Sequence, residues 1–195
     1  VKLWAYEKEV VEAINTQKEN TLFLPGVSLP ASLTATGSFH DALEGADFLL
    51  LSTPSHGVRS VLINMQPILS EPLPIVVATK GIEDATLKLM SQVLNELLPS
   101  NRSPGITILT GPSFAKEVCQ SKPTTILLAG QDAALIAKLQ SVFMTSFFRV
   151  YTGSDMIGAQ LGGALKNVMA IAAGVVDGLN LGANTRAALI TRGLA

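Results

Sequence analysis

The chain has 195 residues, of which 48% are hydrophobic and only 15% are charged. This composition excludes an intrinsically disordered chain, and the length supplies a core for one or two domains. The net charge is −1 and no basic run is present, so nucleic acid and anionic membrane surfaces are not among the expected partners. A single cysteine, Cys119, excludes an internal disulfide and a zinc site built from cysteines. It is typical of a reducing compartment, so we expect a cytoplasmic protein, and we predict no metal site.

No membrane-spanning or targeting segment is predicted. The longest stretch without Asp, Glu, Lys or Arg, residues 20–40, contains two prolines and many hydroxyl side chains, so it cannot form a spanning helix. Val1 stands directly in a strand-like run, and Ala195 falls inside a helical pattern. We therefore expect the chain to be part of a longer protein.

Short β-rich runs alternate with longer helical runs along most of the chain, which is typical of an α/β fold with a largely parallel sheet. Strands are predicted at residues 1–5, 32–36, 47–52, 74–79, 105–110, 124–129 and 147–151. Helices are predicted at residues 7–15, 38–43, 58–65, 86–98, 114–118 and 133–143. The runs Phe48-Leu-Leu-Leu and Ile75-Val-Val-Ala are apolar on both faces, so we expect central strands covered by helices on each side.

The pattern changes near Ser154, where the strands stop. Residues 154–178 form one long predicted helix rich in Gly and Ala, and a second helix is predicted to start at Asn184, whose side chain could accept from first-turn amides. The sequence therefore predicts a doubly wound domain over residues 1–153 and the beginning of a helical domain over residues 154–195.

A dinucleotide site of the doubly wound type needs a glycine-rich turn at a helix N-terminus. No two of the sixteen glycines stand two residues apart, so the chain contains no G-x-G. Ala5-Tyr6-Glu7 after the first predicted strand is similar to the end of the second strand of such a unit, where the adenosine ribose binds. The glycine loop would then precede Val1. The first strand could equally be the edge of a flavodoxin-like sheet.

Candidate anion-binding residues follow two of the predicted strands. Lys80 comes directly after residues 74–79, at the edge where open α/β sheets bind ligands, and its ammonium suits a phosphate. Gly111-Pro-Ser-Phe-Ala follows the next strand and opens a helix, where free backbone amides point outward. Each feature alone could also be structural, namely a solvated loop lysine and an ordinary capped helix.

The run from Gly158 to Gly174 is the most informative stretch. A charged Lys166 in a helix of small and apolar residues would cost free energy to bury without a partner or a function. Small residues at 158, 162 and 163 would let a backbone or a ligand approach the same helix. Asn167 beside the lysine and Asp177 farther along favour a functional site, although a lysine whose head group reaches solvent remains the alternative.

Seven motifs along the whole chain together resemble the NAD(P)-dependent glycerol-3-phosphate dehydrogenase family. They are Ile14-Asn-Thr-Gln, Leu24-Pro-Gly, Ala78-Thr-Lys-Gly, Gly111-Pro-Ser-Phe-Ala, Gly163-Ala-Leu-Lys-Asn, Asp177-Gly-Leu and Asn184-Thr-Arg-Ala-Ala-Leu. The resemblance implies a Rossmann-like doubly wound sheet lacking its first strand and glycine loop, followed by the start of an all-helical C-terminal domain. It also implies a homodimer that interconverts sn-glycerol 3-phosphate and dihydroxyacetone phosphate in glycerophospholipid metabolism.

The resemblance also implies roles for individual residues. It makes Lys166 the proton-transferring residue and places Lys80, Gly111 and Ser113, together with Lys166, around the small phosphate substrate. It places Tyr6, Phe23 and Ala115 at the cofactor, NAD or NADP, and leaves the choice between the two dinucleotides open.

Two alternatives remain at this point. One is another two-domain dehydrogenase with a lysine on its catalytic helix, of the 3-hydroxyisobutyrate or 6-phosphogluconate type. The other is a non-catalytic binding module. Because the chain lacks a glycine-rich loop, we expect it to be weak or inactive by itself and to bind NADH poorly.

Overall fold

The computed structural model describes residues 1–69, 72–98 and 105–193. The strands are β1 (Lys2–Trp4), β2 (Glu19–Asn20), β3 (Leu24–Ser28), β4 (Thr34–Thr36), β5 (Leu49–Leu51), β6 (Ile75–Val77), β7 (Ile106–Thr110), β8 (Thr124–Ala129) and β9 (Phe148–Gly153). The helices are α1 (Lys8–Gln17), α2 (Phe39–Leu43), α3 (Ser55–Met65), α4 (Met90–Leu97), α5 (Ala115–Cys119), α6 (Ala133–Phe143), α7 (Met156–Gly178) and α8 (Gly182–Gly193).

The main sheet has five strands in the order β5-β6-β7-β8-β9. Strands β5, β6 and β7 are parallel, β8 is antiparallel to β7, and β9 is parallel to β8. Strands β1 and β4 form a separate parallel pair. The predicted fold class is confirmed: an α/β, Rossmann-like core with a largely parallel sheet precedes a helical segment. The two-stranded antiparallel unit of β2 and β3 was not predicted.

Apolar residues of the central strand β6 supply both faces of the core. Ile75 and Val77 pack with α3 and α4 in one cluster, whereas Val76 packs with α6 in another. The prediction that this run is a central strand is therefore correct. The same prediction for Phe48-Leu-Leu-Leu is wrong, because β5 lies at an edge of the five-stranded sheet and Leu50 is 43% exposed.

Helix α4 begins later than the sequence predicts. Residues 82–89 instead form a tight loop, which is closed by a bridge between Ile82 and Leu89 and by a 2.9 Å hydrogen bond from the Glu83 amide to the Lys88 carbonyl. Within this loop Leu87 has a φ of 57°, a left-handed conformation that a helix excludes. The first helical residue is therefore Met90, four residues after the predicted start at Thr86.

The change from strands to helices falls where the sequence placed it. Strand β9 ends at Gly153, and Asp155 caps α7 by accepting a 2.8 Å hydrogen bond from the Gly158 amide. The division into domains of residues 1–153 and 154–195 stays a prediction, and its last two residues lie outside the described ranges. The predicted start of the last helix at Asn184 is wrong, since α8 already begins at Gly182 and Asn184 lies within its first turn.

Helix α7 is long and apolar enough to cross a membrane, with a mean hydropathy of 1.3 over its most apolar stretch. It is the one such helix among the described residues. Its N-terminal turns contribute Met156 and Ala159 to the core, and Lys166 stands near its middle, where a charge is costly in lipid. Only the length and composition of α7 indicate a membrane-spanning helix, and one such helix is weak evidence.

Thr107 carries an unpartnered hydroxyl in the middle of the sheet. The residue is 1% exposed, and its Oγ1 has no hydrogen-bond partner among the described residues. We expect Thr107→Val, which keeps the shape and removes the polar atom, to raise the free energy of unfolding by about 1–2 kcal/mol. Urea unfolding measures it, with Thr34→Val, at an exposed position of strand β4, as the matched control. An unchanged or lower stability would show that the hydroxyl does have a partner.

Candidate active site

Lys80 and Gly111 meet at one edge of the main sheet. Lys80 follows β6, Gly111 follows β7, and the Lys80 Nζ donates a 2.9 Å hydrogen bond to the Gly111 carbonyl. Gly111 has a φ of 143°, and a Cβ atom there would lie 2.9 Å from the Ile126 Cα, so only glycine fits. Ser113 is exposed, and its Oγ donates a long 3.4 Å hydrogen bond to the same carbonyl. The structural alternative for this motif, an ordinary capped helix, is not observed, because Phe114 is the N-cap residue of α5 and its side chain makes no capping hydrogen bond.

Helix α7 brings Lys166 to the same edge. A Cβ atom on Gly163 would lie 2.8 Å from the Thr110 Oγ1 and 3.6 Å from the Lys80 Cγ, so the helix backbone packs directly against β7 and the stem of Lys80. Lys166 follows within one turn. The structure thus places Lys80, Gly111 and Lys166 together at this edge.

Lys166 is exposed, so its charge carries no cost of burial, and the alternative of a lysine whose head group reaches solvent is the one observed. Its Nζ donates a 3.1 Å hydrogen bond to the Asn167 Oδ1 and lies 5.9 Å from the centre of the Phe114 ring. Its neighbours Leu165 and Val168 on α7 are exposed as well. What distinguishes Lys166 is therefore its position beside Lys80 and not its desolvation.

The electrostatic state of Lys80 reflects both its burial and its neighbour. Burial lowers the pKa of the Lys80 ammonium below its ordinary value, and the charge of Lys166 lowers this pKa further. Two like charges held at one sheet edge create a positive potential that a phosphate dianion would relieve. The pair thus suits an anionic ligand.

A cavity of about 750 Å³ lies between α7 and the sheet edge. Its size falls in the range of small-molecule sites. Glycines open it on both sides, and the polar groups at its wall include Lys166 and Asn167. The residues that matter for the site are Gly111, Phe114, Gly162, Gly163, Lys166 and Asn167.

The three residues implied at the cofactor lie on separate segments at the surface. Phe23 is exposed in the turn between β2 and β3, Ala115 starts α5, and α5 contacts β3, so these two belong to neighbouring segments. Tyr6 is exposed after β1. Among the hydrogen bonds, ion pairs and ring contacts of the described residues, none joins Tyr6 to Phe23 or Ala115.

A charged cluster that the sequence reading missed holds the loop after Lys80. The Arg59 guanidinium donates to both Glu83 oxygens at 2.8 and 2.9 Å and also pairs with Glu96 at 2.9 Å. Thr86 donates to Glu83, and Lys88 pairs with Glu96. The Glu83 side chain is 11% exposed. No local motif signals this cluster, because its members lie on α3, the loop and α4.

The cluster predicts how stability depends on acid. The hydrogen bonds from Arg59, and then that from Thr86, lower the pKa of Glu83 from its ordinary 4.5 to about 2. A carboxylate whose folded pKa is lowered stabilises the fold above its unfolded pKa and loses that contribution as pH falls toward the folded value. We therefore expect the stability difference between wild type and Glu83→Gln to be largest above pH 4.5 and to shrink toward pH 2.

Urea unfolding at several pH values measures this difference. The matched control is Glu12→Gln, because Glu12 is exposed on α1 and takes part in no ion pair among the described residues. Its difference from wild type should stay small throughout. Parallel pH curves for wild type and Glu83→Gln would contradict the prediction.

Comparisons with known proteins agree with one another. The model of the NAD-dependent glycerol-3-phosphate dehydrogenase N-terminus matches residues 1–136, and the model of the C-terminus matches residues 155–195. Proteins named glycerol-3-phosphate dehydrogenase [NAD(P)+] from Koribacter versatilis and Geobacter metallireducens are each 50% identical over all 195 residues of the chain. The chain spans 58% of the length of each.

A solved structure supports the same assignment. The glycerol-3-phosphate dehydrogenase of Coxiella burnetii superposes with a TM-score of 0.89 at 36% identity, and the match covers the whole chain and 58% of that protein. A pyrroline-5-carboxylate reductase from the same organism superposes with a TM-score of 0.57 at 12% identity, which indicates a shared fold alone. From its two family matches, and from motifs that the structure places at one sheet edge, the chain belongs to the NAD-dependent glycerol-3-phosphate dehydrogenase family.

Proposed function

We propose that this chain contains the substrate-binding and proton-transferring residues of an oxidoreductase that interconverts sn-glycerol 3-phosphate and dihydroxyacetone phosphate with NAD or NADP. One observation carries the proposal: Lys80 and Lys166, from two different segments, converge at the carboxyl edge of the sheet beside a glycine-walled cavity. Family membership supports the substrate and the cofactor.

The residues present fit the nicotinamide end of a dinucleotide. The Cβ position of Gly162 has nothing within 4 Å, so the cavity wall is open there. Ala115 follows Phe114, which lines the cavity, and its helix α5 contacts β3, the strand that follows Phe23. When bound, the nicotinamide supplies the acceptor or donor of a hydride. The sequence contains no G-x-G, so no residue is assigned to the pyrophosphate.

Lys166 is the proposed acid and base. In the oxidation of glycerol 3-phosphate, the hydride leaves the carbinol carbon and the neutral Lys166 amine accepts the hydroxyl proton. In the reduction of dihydroxyacetone phosphate, the Lys166 ammonium returns that proton to the alkoxide oxygen. The Asn167 Oδ1, which accepts a hydrogen bond from Nζ, orients the amine.

Lys80 and the loop beside it are the proposed substrate holders. The Lys80 ammonium, fixed by the Gly111 carbonyl, faces the anionic substrate, and the Ser113 hydroxyl is free to reorient toward it. Glycine at 111 keeps the backbone close to the sheet and leaves the cavity open. Tyr6, Phe23 and Ala115 are the proposed cofactor contacts. We further infer a homodimer and a cytoplasmic location.

A chimera tests the proposed function. Residues 1–195 replace the matching segment of the Koribacter versatilis relative, which supplies the remaining 42% of its own length, the complement of the 58% that the chain spans. We expect the chimera to oxidise NADH or NADPH when dihydroxyacetone phosphate is added, and to ignore 3-hydroxy acids in the reverse assay. A folded chimera without reductase activity on dihydroxyacetone phosphate would overturn the proposal.

A further inference from the structure

Gln160 on α7 is a buried polar side chain that the proposed mechanism does not use. It is 5% exposed, yet every polar group of its amide has a partner. The Oε1 accepts from the Ser91 amide at 2.9 Å, and the Nε2 donates to the Ser91 Oγ and to the Met156 carbonyl, each at 2.9 Å. A buried amide satisfied in this way fixes the relative position of the segments that it joins.

The partner of Gln160 is the start of another helix. Ser91 is the second residue of α4, where backbone amides have no acceptor within their own helix. Gln160 therefore caps α4 from a distant part of the chain. Its neighbours Met156 and Ala159 pack in the same core cluster, so the first turns of α7 are held by both apolar and polar contacts.

The segments joined by this amide each carry one of the two lysines. The start of α4 follows the loop that begins just after Lys80 and is closed by the Ile82–Leu89 bridge. Lys166 lies six residues beyond Gln160 on the continuous helix α7, about 9 Å along its axis. A rotation or tilt of α7 about its first turns would therefore move Lys166 relative to Lys80.

We propose that Gln160 is a positioning residue that sets the spacing between Lys166 and Lys80 by holding α7 against the start of α4. The proposal rests on the proposed function, in which both lysines act on one substrate. It goes beyond that function because Gln160 neither lines the cavity nor contacts either lysine, and it acts by fixing the position of Lys166.

The titration of Lys80 reports this spacing in the 195-residue chain without any turnover. The lysines are methylated with ¹³C, and the Lys80 resonance, identified by its absence in Lys80→Arg, is followed against pH. Because the charge of Lys166 contributes to the lowered pKa of Lys80, Lys166→Ala should raise that pKa and calibrate the signal. We expect Gln160→Leu to produce at least half of the rise seen in Lys166→Ala. Ser91→Ala should produce a smaller rise in the same direction.

Two comparisons separate positioning from a merely structural role. Gln140 on α6 is the matched control, because its amide donates a comparable 2.8 Å hydrogen bond to the Val150 carbonyl, and Gln140→Leu should leave the Lys80 pKa unchanged. In the Lys166→Ala background, Gln160→Leu should add nothing, since its effect passes through Lys166. An additive rise, or a folded Gln160→Leu chain with the wild-type Lys80 pKa, would overturn the proposal.

If Gln160→Leu does not fold, Ser91→Ala decides: a rise of the Lys80 pKa that disappears in the Lys166→Ala background supports the proposal, and an unchanged Lys80 pKa or an additive rise overturns it. None of these readouts needs bound dinucleotide or catalysis. An inactive chimera would therefore count against the proposed function alone, and an unchanged Lys80 titration against the positioning role alone.

Discussion

Replacing Lys166 with alanine is expected to lower kcat of the chimera about 10²–10⁴-fold, the range that a positioned acid–base group contributes. The expectation follows from the place of the amine, which α7 brings beside Lys80 at the open wall of the cavity. The dinucleotide affinity should change little, because no cofactor contact is assigned to this side chain. Steady-state kinetics in both directions, with NADH binding followed by fluorescence, measure the two effects separately.

The control for this prediction is Lys138→Ala, an equivalent loss of charge at an exposed position of α6. It should leave kcat and KM within the error of the wild-type chimera. Retained turnover in Lys166→Ala would remove this lysine from the mechanism. A joint loss of turnover and dinucleotide affinity would assign it a binding role instead.

Replacing Lys80 with methionine is expected to raise the KM for dihydroxyacetone phosphate by about 10–100-fold, which corresponds to the loss of one charge-assisted hydrogen bond. The stem of the side chain is kept, so its packing against Gly163 should survive. The effect should depend on the phosphate: turnover of dihydroxyacetone, which lacks it, should change far less. The ratio of kcat/KM for the two substrates is the quantity to measure.

The matched control for this second prediction is Lys138→Met, at the same exposed position of α6. An equal loss of kcat/KM for both substrates would show that Lys80 does not recognise the phosphate. In that case the short contact with the Gly111 carbonyl would have a structural role only.

Much of the sheet could be predicted because the sequence pattern that specifies each strand lies within the strand itself. The three residues of β6 are apolar on both faces, and the structure buries all of them. Parallel strands deliver their following loops to one edge, which is why Lys80 and Gly111 could be expected to meet. The lysine of α7 was recognisable because it interrupts a run of small and apolar residues.

Other features depend on partners that are far away in the sequence. The β2–β3 unit has neither a long alternating pattern nor a standard hairpin turn, so it left no signal. The ion pairs of Arg59 span 24 and 37 residues, and the contact between Gln160 and Ser91 spans 69 residues. The exposure of Lys166 was left open because the composition of its helix does not reveal which faces other elements cover.

The reversal of β8 determines the direction in which the last long helix leaves the sheet. If β8 and β9 ran parallel to β7, β9 would end at the ligand edge of the sheet. A helix that then packed back on the sheet would carry its residues away from the ligand edge. Because β8 and β9 run antiparallel to β7, β9 ends away from the ligand edge of the sheet. Its last residue, Gly153, pairs with Ala129, which in turn pairs with Ile108 in the middle of β7. The chain then turns outward, and Gly163 reaches Thr110. A single antiparallel pairing therefore lets a continuous helix enter the site along its own length, so that a proton-transferring group can be supplied from regular secondary structure instead of from a loop.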